Sequence, residues 1–449
     1  MQIKRIIASL LCVLMLLMFS GCSLNFFSVD SLMSPPAQSG KNGEVEKAFK
    51  KLMSNKTIQL KTPLNGEYQT SYVLFDVNND GVEEAFVFYT DSSVDTSVRI
   101  AFLEFVNDTW LISADIKGSG STVYELSFAD LNNDGIFEVF VGWSLYENKT
   151  TKILSVYSVN VGNNEVFEID TLANEYYSEK SFVDFNSDGT DELVLVYLDD
   201  TTATQKSFFR CFSVSENDEF VKYAELNIDS SISSVLKIQN DVVTKSDASV
   251  SRIFIDCQKT DNKMFTEMIY WDENKKIPVR AITKPATSTL RSSQIFCRDI
   301  DGDGILEIPV NTVMYGDPSL LTVKSGNVKY DFTMLKWLNS YGDKSEGNIN
   351  TVLNLLDSYL YRVTRVGEVT VKYDAAKRSL VFCEWDEENK AVKDELFEIT
   401  LIKKGSEDTA NGERLHTSSN GDFYYTITEY GEKFGITDEG IISSFIIIN

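Results

Sequence analysis

Four segments of the chain share one frame: DVNNDGVEE from Asp76, DLNNDGIFE from Asp130, DFNSDGTDE from Asp184 and DIDGDGILE from Asp299. All read D-x-[ND]-x-D-G-x-x-E, the first three starts are 54 residues apart, and the last follows after 115, close to two periods. A repeat at a fixed period means stacked supersecondary units, each burying its apolar face against the next. A unit that has lost its motif is expected near residues 238–245, where KIQNDVVTK keeps only an Asn-Asp remnant.

The residue types in the frame suit a hard cation. Oxygens at positions one, three and five converge, Gly at position six allows a sharp turn, and a carbonyl at position seven adds a ligand. An EF-hand needs Glu at position 12, which is Val87, Val141, Leu195 and Val310 here. Glu recurs instead at position nine and opens apolar runs (AFVFY, VFVGW, LVLVY, IPVNTV) that read as buried strands. Asp-Gly between strands is also a plain hairpin turn. A turn alone requires neither the first Asp, nor the third-position oxygen, nor the ninth-position Glu. Magnesium prefers to keep its waters, so loops rich in protein oxygens favour calcium.

Between loops the strand pattern repeats as well. Val98–Val106, Thr109–Ile116 and Val123–Ala129 follow the first motif, Lys152–Asn160 and Glu165–Asp170 the second, and Lys206–Val214 and Glu219–Leu226 the third. Each unit thus offers about four short strands, with the loop between its first two, matching a propeller blade; an extended solenoid is the competing arrangement.

These motifs resemble FG-GAP and VCBS-type repeats, the calcium-loop blades of integrin-like β-propellers, over about residues 66–335. Glu at position nine departs from the more usual Asp. The resemblance implies a mainly β fold, an FG-GAP/VCBS-type β-propeller of about five blade-length repeats, followed by a small α+β domain. It implies up to four calcium ions. The ligands carried over are Asp76, Asn78, Asp80 and Glu84; Asp130, Asn132, Asp134 and Glu138; Asp184, Asn186, Asp188 and Glu192; and Asp299, Asp301, Asp303 and Glu307. Val82, Ile136, Thr190 and Ile305 would give their carbonyls. The degenerate unit at about 227–290 should bind no cation.

The N-terminus reads as a targeting segment: Lys4 and Arg5 precede an apolar run, Ile6–Phe19, too short to span a bilayer as a helix. Ser20-Gly21-Cys22 after it resembles a bacterial lipoprotein signal, which implies removal of residues 1–21 and a lipid on Cys22. The expectation is an exported protein, lipid-anchored to the outer face of a bacterial membrane. Residues 22–65 then comprise the lipidated cysteine, a tether with Ser34-Pro35-Pro36, and an amphipathic helix at Glu44–Asn55 carrying Val45, Phe49, Leu52 and Met53, expected to pack on the repeats. Residues 66–339 form the repeats and 340–449 a separate α+β domain, faintly similar to PsbP-like sandwiches. Its candidate strands are Tyr359–Val363, Glu368–Tyr373, Ser379–Trp385, Glu395–Lys403 and Phe423–Glu429, and Thr437 caps a final helix running into Ile441–Ile448.

Composition narrows function. A formal charge of −25 makes nucleic acid a poor partner and cations good ones. One histidine, His416, in the polar stretch ERLHTSSNG, reads as a surface loop residue and leaves no zinc site with two histidines. Cys211, Cys257, Cys297 and Cys383 sit in apolar runs as small buried hydrophobes, with one disulfide as the alternative. The chain has no G-x-S-x-G elbow and no GxxxxGK. The function expected first is a calcium-stabilised surface protein binding a macromolecular or glycan partner, with Trp110, Trp143, Trp271, Trp337 and Trp385 either stacking on sugar or forming core. Alternatives are a carbohydrate-active enzyme using paired carboxylates outside the loops, and a spacer presenting the C-terminal domain.

Overall fold

A computed structural model describes residues 40–145, 151–161, 166–199, 205–245, 248–325, 327–338, 349–406, 409 and 411–448. The targeting segment, Cys22 and the Pro-rich tether lie outside them. Among the described residues no helix is long and apolar enough to cross a membrane.

The chain is mainly β. The first sheet holds β1 (Ile58–Leu60), β2 (Tyr72–Phe75), β3 (Glu84–Asp91), β4 (Val98–Val106) and β5 (Thr109–Lys117). The next three are antiparallel meanders: β6 (Thr122–Ala129) to β7 (Glu138–Ser144), β8 (Lys152–Val161) and β9 (Phe167–Tyr177); β10 (Glu179–Val183) to β11 (Glu192–Asp199), β12 (Lys206–Val214) and β13 (Phe220–Ile228); and β14 (Ser234–Lys245) to β15 (Ala248–Gln258), β16 (Met264–Asp272) and β17 (Ile277–Arg280). After β18 (Ile308–Thr312) comes a separate hairpin, β19 (Thr322–Ser325) with β20 (Val328–Asp331). The fifth sheet continues from β18 through β21 (Thr333–Leu338), β22 (Ile349–Asn354) and β23 (Tyr359–Arg362). The sixth has the order β24 (Val369–Asp374), β25 (Ser379–Asp386), β26 (Ala391–Lys403), β28 (Gly421–Ile427), β27 (Glu413–Thr417).

Alternation along the strands gives each sheet two apolar faces, and consecutive sheets share cores. Phe86 and Phe88 of β3 pack with Val139 and Val141 of β7. Phe140 of β7 packs with Leu193 and Leu195 of β11, and Val194 and Val196 of β11 with Ile253 and Ile255 of β15. Phe254 meets Ile308 and Val310, and Met334 and Val352 meet Val371 and Phe382. The other face of β3, Ala85, Val87 and Tyr89, is covered by Val45 and Phe49 of helix α1 (Lys41–Leu52) and by Met53, its C-cap residue. That is the face a ring-closing blade would occupy, so α1 caps one end of the series as terminal elements cap repeat stacks.

Several boundaries differ from the sequence reading. Helix α1 starts three residues before Glu44, and Leu52, expected on its packed face, is 44% exposed; the buried stripe is Val45, Phe49 and Met53 at four-residue intervals. The boundary expected at 339/340 falls between β21 and β22, which pair from Thr333 with Leu353 to Trp337 with Ile349. The final apolar run divides: after a single α-helical turn α2 (Pro285–Ser288) far earlier in the chain and α3 (Glu429–Phe434), Thr437 caps α4 (Asp438–Ser444), accepting from Gly440 N–H. Beyond it β29 (Phe445–Ile447) pairs with β23, so the last residues return to the fifth sheet. His416 is exposed, as a surface residue should be, but lies in edge strand β27 rather than a loop. ERLHT reads as loop because solvent reaches most of an edge strand's side chains.

Candidate cation loops

The four motifs join strands or strand-like segments at corresponding places in four sheets. Loops 1 to 3 connect β2 to β3, β6 to β7 and β10 to β11; loop 4 is closed by an Arg298–Glu307 bridge before β18. Their hydrogen-bond frame is the same. The first Asp receives the N–H groups of positions five and six: Asp76 from Asp80 at 3.1 Å and Gly81 at 2.9 Å, Asp130 from Asp134 at 3.2 Å and Gly135 at 3.0 Å. Asp184 repeats this with Asp188 and Gly189, and Asp299 with Asp303 and Gly304. The fifth-position Asp receives the N–H of position seven, from Val82, Ile136, Thr190 or Ile305, at 2.7–2.9 Å. These bonds wrap each loop around its first and fifth side chains.

Two residues per loop adopt left-handed backbone. Position six is Gly81, Gly135, Gly189 or Gly304, with φ of 87°, 88°, 94° and 85°. Position four is Asn79, Asn133, Ser187 or Gly302, with φ of 56°, 56°, 60° and 85°. The sequence reading passed over position four, although Asn and Gly there are the signal of a left-handed residue. It also passed over position two. Val77, Leu131, Phe185 and Ile300 are buried anchors whose N–H groups donate to one oxygen of the ninth-position Glu at 2.8–3.0 Å.

Those glutamates are the electrostatic centre of each loop. Glu84, Glu138, Glu192 and Glu307 are 3–5% exposed, whereas Asp80, Asp134, Asp188 and Asp303 are exposed. Burial pushes Glu84, Glu192 and Glu307 up to about 7 and Glu138 up to about 8; the position-two N–H pulls the other way, and the neighbouring aspartates add to the rise. In loop 4 carboxylate oxygens of Asp299, Asp301 and Glu307 all lie within 4.8 Å of one another. Burial and Asp303 raise Asp301. Burial opposes ionisation of Asp299 too, but N–H groups of Gly304 and Gly302 hold it below its ordinary value.

Loops 1 to 3 carry an amide at position three. Asn78 and Asn132 donate Nδ2 to Asp80 and Asp134 at 3.0 Å, and Asn186 donates to both Asp188 at 2.8 Å and Glu192 at 2.5 Å. In loop 3 the amide nitrogen thus sits between two carboxylates. In all three loops the amide oxygen accepts the position-five N–H at 2.8–3.2 Å; rotating the amide by 180° would turn that oxygen toward a cation, the group a cation requires, at the cost of this bond. The donor set fits a hard divalent cation: several oxygens, among them a buried carboxylate that ionises against neighbouring negative charge. Bound there, the cation would supply the missing positive charge.

Other sequence candidates are placed differently. Trp143 and Trp337 are fully buried and donate to Ser155 Oγ and Thr351 Oγ1; Trp271 and Trp385 are 8% and 6% exposed. The four cysteines are buried and free. Outside the loops, burial also raises Glu179, Glu267 and Asp357, each held by a cation: Lys152 at 3.5 Å, Arg280 at 2.6 Å and Arg378 at 2.6 Å.

No family model matches the chain, and no curated protein matches it. Among solved structures, the β-propeller domain of the Trilobed protease from Pyrococcus furiosus aligns with 83% of this chain and 100% of its own, at 10% identity and a TM-score of 0.26. AofleA from Arthrobotrys oligospora aligns with 83% of this chain and 91% of its own, at 11% identity and a TM-score of 0.26. Likeness at this level fixes neither a blade number nor a closed ring.

Proposed function

We propose that this chain is an exported surface protein, held to the outer face of a membrane by a lipid on Cys22, whose FG-GAP/VCBS-type blades are stabilised by up to four calcium ions. The sheet series forms a propeller-like arc, and its surface binds a macromolecular or glycan partner. The observation that carries the cation reading is the buried ninth-position glutamate, present four times at the same place and pushed up to about 7 or 8 beside two or three further acidic groups. A loop built to gather negative oxygens and bury one of them is stable at neutral pH when a cation joins it. The lipid anchor rests on the Lys4–Cys22 pattern, and the partner on the anchor and the repeated, exposed loop face.

The test is metal counting and calorimetry on the purified chain in detergent, with calcium and with chelator. Up to four ions per chain and a calcium-dependent rise in Tm are expected. Asp80→Ala, Asp134→Ala, Asp188→Ala and Asp303→Ala should each lower the count by about one. An unchanged count in all four variants would overturn the ligand assignment.

A further inference from the structure

The fourth sheet lacks the motif, yet its second strand keeps the place where the glutamate belongs. Elsewhere the residue after the glutamate packs on the preceding sheet: Val139 against Phe86, Leu193 against Phe140, Ile308 against Phe254. In β15 the corresponding residue is Ile253, packed with Val194 and Val196. The residue before it is Arg252, 55 residues ahead of Glu307 and so one repeat away. Arg252 is 0% exposed, and its cross-strand partner is Asp241, 8% exposed, in the Asn-Asp remnant. The guanidinium grips the carboxylate with two donors, Nε to Oδ1 at 2.7 Å and a terminal nitrogen to Oδ2.

Asp241 also reaches into the next unit. Its Oδ2 accepts the N–H of Leu306, at position eight of loop 4, at 2.7 Å. In loop 2 the same position, Phe137, donates instead to the Val77 carbonyl of loop 1 at 2.8 Å. Loop 4 has no motif loop immediately before it, and a side-chain carboxylate fills that role.

We infer that Arg252 and Asp241 together position loop 4: the guanidinium is a fixed positive charge that holds Asp241, and Asp241 holds Leu306 and with it the adjoining Glu307. The positioning of an ion in loop 4 rests on the cation reading above; the hold on Leu306 does not. The two parts are separable by experiment.

Asp241→Asn leaves one oxygen for three donors, and Arg252→Gln removes the charge; Arg252→Lys restores it. Each variant of the full chain, in detergent, is titrated with calcium and followed by hydrogen exchange in chelator. In Asp241→Asn the segment carrying Leu306 should exchange at least about tenfold faster, while those carrying Val77, Leu131 and Phe185 keep wild-type protection. One calcium should bind about tenfold more weakly and the others unchanged. Arg252→Lys should recover part of the affinity that Arg252→Gln loses. Unchanged exchange at Leu306, or an equal loss at every site, would overturn the inference. If Arg252→Gln fails to fold, Asp241→Asn decides. A wild-type chain that binds no calcium, yet in which Asp241→Asn frees Leu306, would sink the cation reading and leave the hold on Leu306 standing.

Discussion

In the second sheet the strand after the loop opens with Glu138, buried beside Asp130 and Asp134; in the fourth the strand passes through Arg252, buried against Asp241. The neighbours of the two positions are alike, an apolar residue packed on the preceding sheet in each case. They differ in the sign of the charge and, on the cation reading proposed above, in where neutralisation comes from. A buried acidic loop draws its positive charge from solution and depends on ion concentration. A buried guanidinium pair carries both charges in the chain and is always formed. One strand position therefore accommodates either solution, provided the net buried charge is balanced.

Calcium removal should have the largest effect, because each site contributes about 4 kcal/mol when the free ion is a thousandfold above its Kd. Calorimetry in chelator should show Tm lower by at least about 10 °C. Hydrogen exchange should show opening around loops 1 to 4 before the β14–β15 hairpin. If that hairpin opens first, the contrast between borrowed and built-in charge is wrong.

The next effect strikes the built-in pair. Arg252→Met leaves Asp241 buried without its partner and should cost about 3–5 kcal/mol. The loss should appear in chelator as well as in calcium, read as a drop in urea midpoint under both conditions. A loss confined to calcium would mean that the pair acts only through the ion in loop 4.

The recurring loop frame was legible in the sequence because every component is local. Asp, Asn, Gly and Glu lie within nine residues, and the frame repeats, so spacing alone nominates them. β4 and β12 match their expected limits, Val98–Val106 and Lys206–Val214, because clear apolar runs are bounded by turn residues. Positions two and four of the loops were passed over although they are local, and the rest of what was missed depends on pairing between strands. Arg252 and Asp241 look like ordinary surface charges until β14 and β15 pair. The bond from Leu306 to Asp241 spans 65 residues. The boundary expected at 339/340 lies between β21 and β22, which pair with each other across it, and the return of β29 to β23 at the end of the chain has no local signal either.

Titration offers a finer test of the same contrast. The folded-state values of Glu84, Glu192 and Glu307 are raised to about 7 and that of Glu138 to about 8, from 4.5. Protons therefore bind the folded chain more tightly than the unfolded one. The resulting stability is fully present below about 4.5 and is lost as pH rises through 7 to 8. In chelator the urea midpoint should fall between pH 5 and pH 8. Calcium should flatten the profile, since a cation takes the place of the proton. A profile equally steep in calcium would show that no ion reaches these carboxylates.

Glu138→Gln should give the smallest change and the most telling sign. Glutamine keeps an oxygen for the Leu131 N–H, which Glu138 accepts at 2.9 Å, and removes the buried charge. In chelator at pH 8 the variant should be more stable than wild type by about 1 kcal/mol, because the cost of ionising a buried acid is gone. In calcium it should be less stable and bind about one ion fewer. That crossing of sign separates a cation ligand from a capping residue. Destabilisation in both conditions would reduce Glu138 to a cap for Leu131, and would make the acidic loops structural turns whose charge the chain tolerates without using.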